Sequence, residues 1–187
     1  MANFDCYVRV YVPLTSSGTP DTSSLGHFDL QIDGINDASL PFDSHTNIRK
    51  PVFSFGGING AGYVKIFPET KTNVFYNNNM LLCKWHFTAT SAMVQSFVTT
   101  MQNMLTYQSK SNDISLYKVT SGPYQTYSVN RYNCFGATAA WCSWLGNNTL
   151  ANIYNQYTND GTGYQSYAAW EMFNANYPAW RFTSLVR

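Results

Sequence analysis

The stretch Tyr132-Asn133-Cys134-Phe135-Gly136-Ala137-Thr138-Ala139-Ala140-Trp141 decides how this chain is read. Asn133 is a strong helix N-cap, because its side-chain oxygen accepts an N–H of the first turn. The Ala- and Trp-containing run behind it predicts a helix that ends at Gly146. Cys134 therefore falls in the first turn. There, unsatisfied backbone N–H groups and the positive end of the helix dipole favour thiolate over thiol, so a depressed pKa is expected. Thiolate is the nucleophilic form, and the position itself points to chemistry.

Upstream, Gly26-His27-Phe28-Asp29-Leu30-Gln31-Ile32-Asp33-Gly34 alternates apolar and polar residues and closes on an Asp-Gly turn. This predicts a strand over 25–33 that carries His27. A thiol at a helix start and an imidazole on a strand are the parts of a cysteine hydrolase: the ring takes the thiol proton and the sulfur attacks a carbonyl carbon. Cys134 and His27 are the candidate catalytic residues. His86 ends a predicted strand and reads as a partly exposed structural residue, and His45 lies in a polar connection.

The 187 residues suit a single domain, with a core over about 4–146 and a C-terminal elaboration over 147–187. At 44% hydrophobic and 17% aromatic, the chain can bury a sizeable core. Charged residues make up only 11%, so Asn, Ser, Thr and Tyr supply a neutral, hydrogen-bonding surface suited to peptides, sugars or another protein. A net charge of +1 with no basic run gives no footprint for nucleic acid and no attraction to anionic lipid. Cys6 and Cys83 sit in apolar, strand-like surroundings and read as core residues. Cys142 lies too far along the predicted helix to bridge Cys134. No Cys-x-x-Cys, His-Glu-x-x-His or other metal-ligand spacing occurs, so neither a metal nor a cofactor is expected. Residues 1–5 lack the basic and apolar regions of a cleaved secretory signal, and no apolar run is long enough to span a membrane. Synthesis in the cytoplasm, with any export through a dedicated machine, is the expectation.

Along the chain, strands are predicted over 4–13, 25–33, 52–55, 63–67, 80–87 and 114–119, with loops over 15–24 and 34–51. The glycine-rich run 56–62 lacks the Gly-Lys-Ser/Thr end of a P-loop and reads as a hairpin turn. A helix capped by Thr90 or Ser91 carries an apolar stripe of Met93, Val94, Phe97, Val98, Met101, Met104 and Leu105. The segment before the strand at 114 reads as a loop. The tail is expected to be helical over about 164–173. Strands first, then helix, strand and helix make an α+β domain: an antiparallel sheet packed against helices.

Three elements in this order, Gly26-His27, then Phe53-Ser54-Phe55-Gly56, then Asn133-Cys134 at a helix start, resemble the circularly permuted papain-like thiol hydrolases related to NlpC-type cell-wall peptidases. The resemblance spans about residues 4–146. Phe135 and Gly136 stand where many members carry polar residues. It implies a papain-like fold and a Cys134–His27 dyad, which either suffices alone, as in the permuted isopeptidases, or is completed by an imidazole-orienting residue for which Asp29, Ser54 and His45 are candidates. It further implies a cysteine amidase or endopeptidase cleaving the stem peptides of peptidoglycan. A small, weakly charged, Asn- and Tyr-rich chain of this kind fits an antibacterial effector of type VI secretion, met by an immunity protein and acting in the target periplasm. Other readings stay open: an isopeptidase for ubiquitin-like conjugates, an acyltransferase like the lecithin–retinol group (whose Asn-Cys-Glu-His run is absent here), and a non-enzymatic binding module on the same shell.

Overall fold

Strand β1 (Asn3–Pro13) lies between β2 (His27–Ile32) and β5 (Met80–Thr90), antiparallel to both. Among the described residues these belong to one sheet of eight strands, in the order β6-β7-β4-β3-β2-β1-β5-β8. The remaining strands are β3 (Pro51–Ile58), β4 (Ala61–Pro68), β6 (Leu105–Ser111), β7 (Ile114–Val119) and β8 (Arg181–Val186). The chain is described by a computed structural model over residues 3–21, 26–35, 50–71, 80–159 and 181–186. The α+β class and the antiparallel sheet packed against helices are as the sequence predicts. Among the described residues no helix is long and apolar enough to cross a membrane.

Pairing register divides the central strands into two chemistries. Val10, Val8 and Cys6 face Phe28, Leu30 and Ile32 on one side, while Tyr11, Arg9 and Tyr7 face His27, Asp29 and Gln31 on the other. Successive side chains of a strand point to opposite faces, so the first set is apolar and the second polar. The helices cover the apolar face, where Phe28, Leu30, Phe53 and Phe55 are fully buried. Each such side chain contributes about 1.5–3 kcal/mol on leaving water.

Helix α1 (Ser91–Met104) starts where Thr90 Oγ1 accepts the Met93 N–H, and it buries Val94, Phe97, Val98 and Met101. Two residues of the predicted stripe depart from it. Met93 is 39% exposed, and Leu105 begins β6. Helix α2 (Cys134–Trp144) is buried on nearly every side, because α3 (Thr149–Asn159) packs over it with Leu150 and Ile153. Gly146, at φ +82°, closes α2 in the left-handed conformation, and the Asn147 N–H bonds to the Cys142 carbonyl. Two contacts fix the direction of α2. Phe135 stacks on Phe28 at 4.4 Å between ring centroids, and Gly146 lies against Met93 at the start of α1. The helix therefore runs along β2 from its His27 end toward its Ile32 end.

The turn inside 56–62 is a two-residue hairpin, with Asn59 and Gly60 both at positive φ. The segment 105–111, read as a loop, is instead an edge strand of the sheet, at the end opposite β8. Its register slips between Tyr107 and Ser109, and the Gln108 side-chain amide donates to the Thr106 and Tyr107 carbonyls. Helix α3 and strand β8, which pairs with β5, were also not predicted. The helix expected over 164–173 and His45 lie outside the described residues.

Candidate functional site

Cys134 opens α2 as the sequence predicts. Asn133 Oδ1 accepts the Gly136 N–H at 2.9 Å, and its Nδ2 donates to the Val129 carbonyl at 2.7 Å, tying the approach segment to the cap. Around this end stands a wall of tyrosines. Tyr127 rests on Gly57 and Tyr124 on Gly62, so closely that a methyl group on either glycine would overlap its neighbour. Both rings pack against Phe55, and Tyr124 meets Tyr132 edge-on at 5.8 Å. A methyl on Gly136 would lie 2.9 Å from the Tyr154 hydroxyl, whose O–H donates to the Arg131 carbonyl. Burial raises the Tyr127 phenol, and the charge of a nearby Cys134 thiolate raises it further. Cys134 itself is only 4% exposed, and none of the four cysteines is in a disulfide.

His27 occupies a different environment. Its Nε2 lies 2.5 Å from Ser54 Oγ, so Ser54, one of the three candidates for an orienting residue, does meet the ring. Asp29 shares the strand face of His27 but forms an ion pair with Arg9, Nε to Oδ1 at 2.9 Å. The Arg9 guanidinium also donates to the Tyr11 hydroxyl and to the backbone carbonyls of Glu69 and Lys71. All of these side chains are buried, Arg9 and Ser54 completely. Burial holds the His27 imidazole down to about 3, with the Arg9 and Lys65 charges acting in the same direction. Burial likewise pushes the Asp29 carboxyl up to about 7, against the opposing pull of Arg9 and Lys84. Taking an ionised carboxylate out of water costs more than one guanidinium returns unless the geometry is excellent.

The stack of Phe135 on Phe28 brings the first turn of α2 over the first residues of β2, so Cys134 and His27 share one end of the sheet. They do not share a face. Phe28 points at α2, and the His27 imidazole, one residue earlier, is turned to Ser54 and Tyr11 on the far side. Sequence reasoning missed the Arg9–Asp29–Tyr11 group. The signal for it was an arginine at a polar position of an otherwise Val- and Tyr-rich strand. His86 is half exposed in β5, 2.7 Å from Asp5 Oδ1, a structural surface pair. Among the described residues no cluster of His, Cys, Asp and Glu is arranged to hold a metal ion. Comparison with models of known families, with curated proteins and with solved structures gives no match to this chain.

Proposed function

We propose that the chain is a cysteine amidase or endopeptidase cleaving amide bonds in peptidoglycan stem peptides, with Cys134 as nucleophile and His27 as base on a papain-like shell. The observation that carries the reading is the Asn133-capped thiol at the start of α2, laid over the end of β2 where His27 begins. In the proposed reaction, Cys134 Sγ attacks the amide carbonyl as its proton passes to His27, a transfer that requires the start of β2 to turn the imidazole from Ser54 toward α2. The Cys134 backbone N–H, at the helix start, faces the developing oxyanion, a type of contact worth about 3 kcal/mol. The ring then protonates the leaving amine, and water releases the acyl group. Ser54 holds Nε2 and so sets the ring plane. Export as an antibacterial effector, with an immunity protein covering the tyrosine wall, completes the proposal. It rests on the resemblance and on the uncharged polar surface.

One pair of observations favours a second reading, a non-enzymatic binding module on the same shell. Strand alternation turns His27 away from α2, and a ring held near 3 is a weak proton acceptor.

Digestion of purified peptidoglycan, with mass spectrometry of the released fragments, separates the two. The hydrolase reading expects fragments from the native chain, and none from Cys134→Ala or His27→Ala proteins that remain folded by circular dichroism. The double variant should be hardly worse than either single one, because the two groups act as a unit. Undiminished release by Cys134→Ala refutes the thiol mechanism. Retention on peptidoglycan without release supports the binding module, and cleavage of a ubiquitin-like conjugate instead supports the isopeptidase.

A further inference from the structure

Besides Cys83 on β5, two thiols take no part in the proposed chemistry, Cys6 on β1 and Cys142 on α2, and both are completely buried in the layer between sheet and helices. Their relative position follows from contacts already described. Phe135 points at the sheet, since it stacks on Phe28. Cys142 follows seven residues later, two helical turns, and so projects from the same side of α2. That advance is about 10 Å along the axis. Because α2 runs along β2 toward Ile32, it carries Cys142 to the level of the Leu30–Ile32 end. Cys6 is the register partner of Ile32 and projects from the same, helix-covered face of the sheet. Gly146 against Met93 pins the end of α2 there, since Met93 follows Thr90, itself paired with Asn3 at the start of β1. The electrostatics agree: after burial, the charge of a Cys6 thiolate is what raises the Cys142 thiol.

We infer that Cys6 and Cys142 are a dithiol pair that closes to a disulfide, fastening α2 to β1, when the chain folds in an oxidising compartment. The oxidant is an external disulfide, either oxidised glutathione or the active-site disulfide of an oxidoreductase. One of the two thiolates attacks a sulfur of that disulfide, forming a mixed disulfide and expelling one thiolate. The other cysteine loses its proton and displaces the second external sulfur, forming the Sγ–Sγ bond. Two protein thiols are oxidised and one external disulfide becomes two thiols. Burial pushes Cys6 up to about 12 in the folded state, so exchange takes place while the chain folds, before the core closes over the pair. The bond would cross-link residues far apart in sequence, which constrains the unfolded chain strongly. The inference does not depend on the catalytic reading.

Refolding the full chain from urea in a glutathione redox buffer, followed by peptide mapping without reduction, tests it. A Cys6–Cys142 linked peptide is expected, with a mass two hydrogens below the sum of its parts and a thermal midpoint several degrees above that of the chain refolded under reducing conditions. Cys6→Ala and Cys142→Ala should each abolish both the link and the shift, while Cys83→Ala keeps them. Folded, oxidatively refolded protein with four alkylatable thiols, or with its bridge through Cys83 or Cys134, overturns the inference, and this mapping of the native chain needs no variant to be conclusive.

Discussion

The two faces of β2 are equally dry and chemically opposite. On the side of α2, Phe28, Leu30 and Ile32 meet other apolar side chains, and burial is favourable contact by contact. On the other side, His27, Asp29 and Gln31 are buried just as fully, and every group there needs a specific partner: Ser54 for the imidazole, Arg9 for the carboxylate, Asp33 for the amide. The apolar face tolerates approximate matching, whereas the polar face fails when one member is lost. A buried imidazole beside a serine, a carboxylate and a guanidinium is the more specialised of the two surfaces, and it lies at the end of the sheet where the nucleophile candidate sits.

The largest effect should come from the apolar face. Phe28→Ala removes the ring on which α2 rests, and a loss of about 3–5 kcal/mol is expected in urea unfolding. A loss below 1 kcal/mol would mean that α2 is held elsewhere. Arg9→Ala should cost about 3 kcal/mol at pH 8, because it strands the Asp29 carboxylate. The Arg9→Met/Asp29→Leu double variant should recover most of that. Since the folded carboxyl titrates near 7, above its ordinary 3.8, the penalty for Arg9→Ala should shrink as pH falls and Asp29 takes up a proton. A penalty independent of pH would show that the two faces differ less than their composition implies.

His27 offers a finer comparison. Its folded pKa, about 3, lies below the ordinary 6.5, so the unfolded chain binds the proton more readily. The stability tied to the neutral ring is complete above pH 6.5 and is lost as pH falls toward 3. Between pH 7 and pH 5 the native chain should lose about 2 kcal/mol that His27→Gln, which has no proton to gain, does not lose. Identical urea midpoint shifts for the two proteins would place the ring in water. The smallest expected change is Asn133→Ala, about 1 kcal/mol for the lost cap. In the hydrolase reading it should also lower the rate of Cys134 alkylation, an effect to be read by peptide mass spectrometry against Cys6, Cys83 and Cys142.

Much of this arrangement was legible in the residues. Alternation in 4–13 and 27–32, the Asn-Gly turn at 59–60 and the caps Thr90 and Asn133 are local signals, and local signals survive folding. The strand at 105–111 was not legible. Thr106 through Ser111 are polar and exposed, and their strand state comes from pairing with β7, which composition does not record. The same reason hid β8. Burial of the polar face was not legible either: alternation of apolar and polar residues ordinarily means one buried and one wet face, and here both are buried. Pairing His27 with Cys134 by motif order also left out the direction of the side chain. A one-residue offset from Phe28 moves the imidazole to the other face.

The edge strand β6 has a bearing on how the protein behaves at high concentration. With 11% charged residues and a net charge of +1, molecules repel one another weakly near neutral pH, and colloidal stability must come from shape. An open strand edge is the surface most prone to recruit a neighbour into a growing fibre. Here the register slip bends that edge, and Gln108 occupies two of its carbonyls with its own amide, so an incoming strand finds a broken row of acceptors. A glutamine that looks incidental in the sequence thus interrupts the acceptor row that this edge would otherwise present.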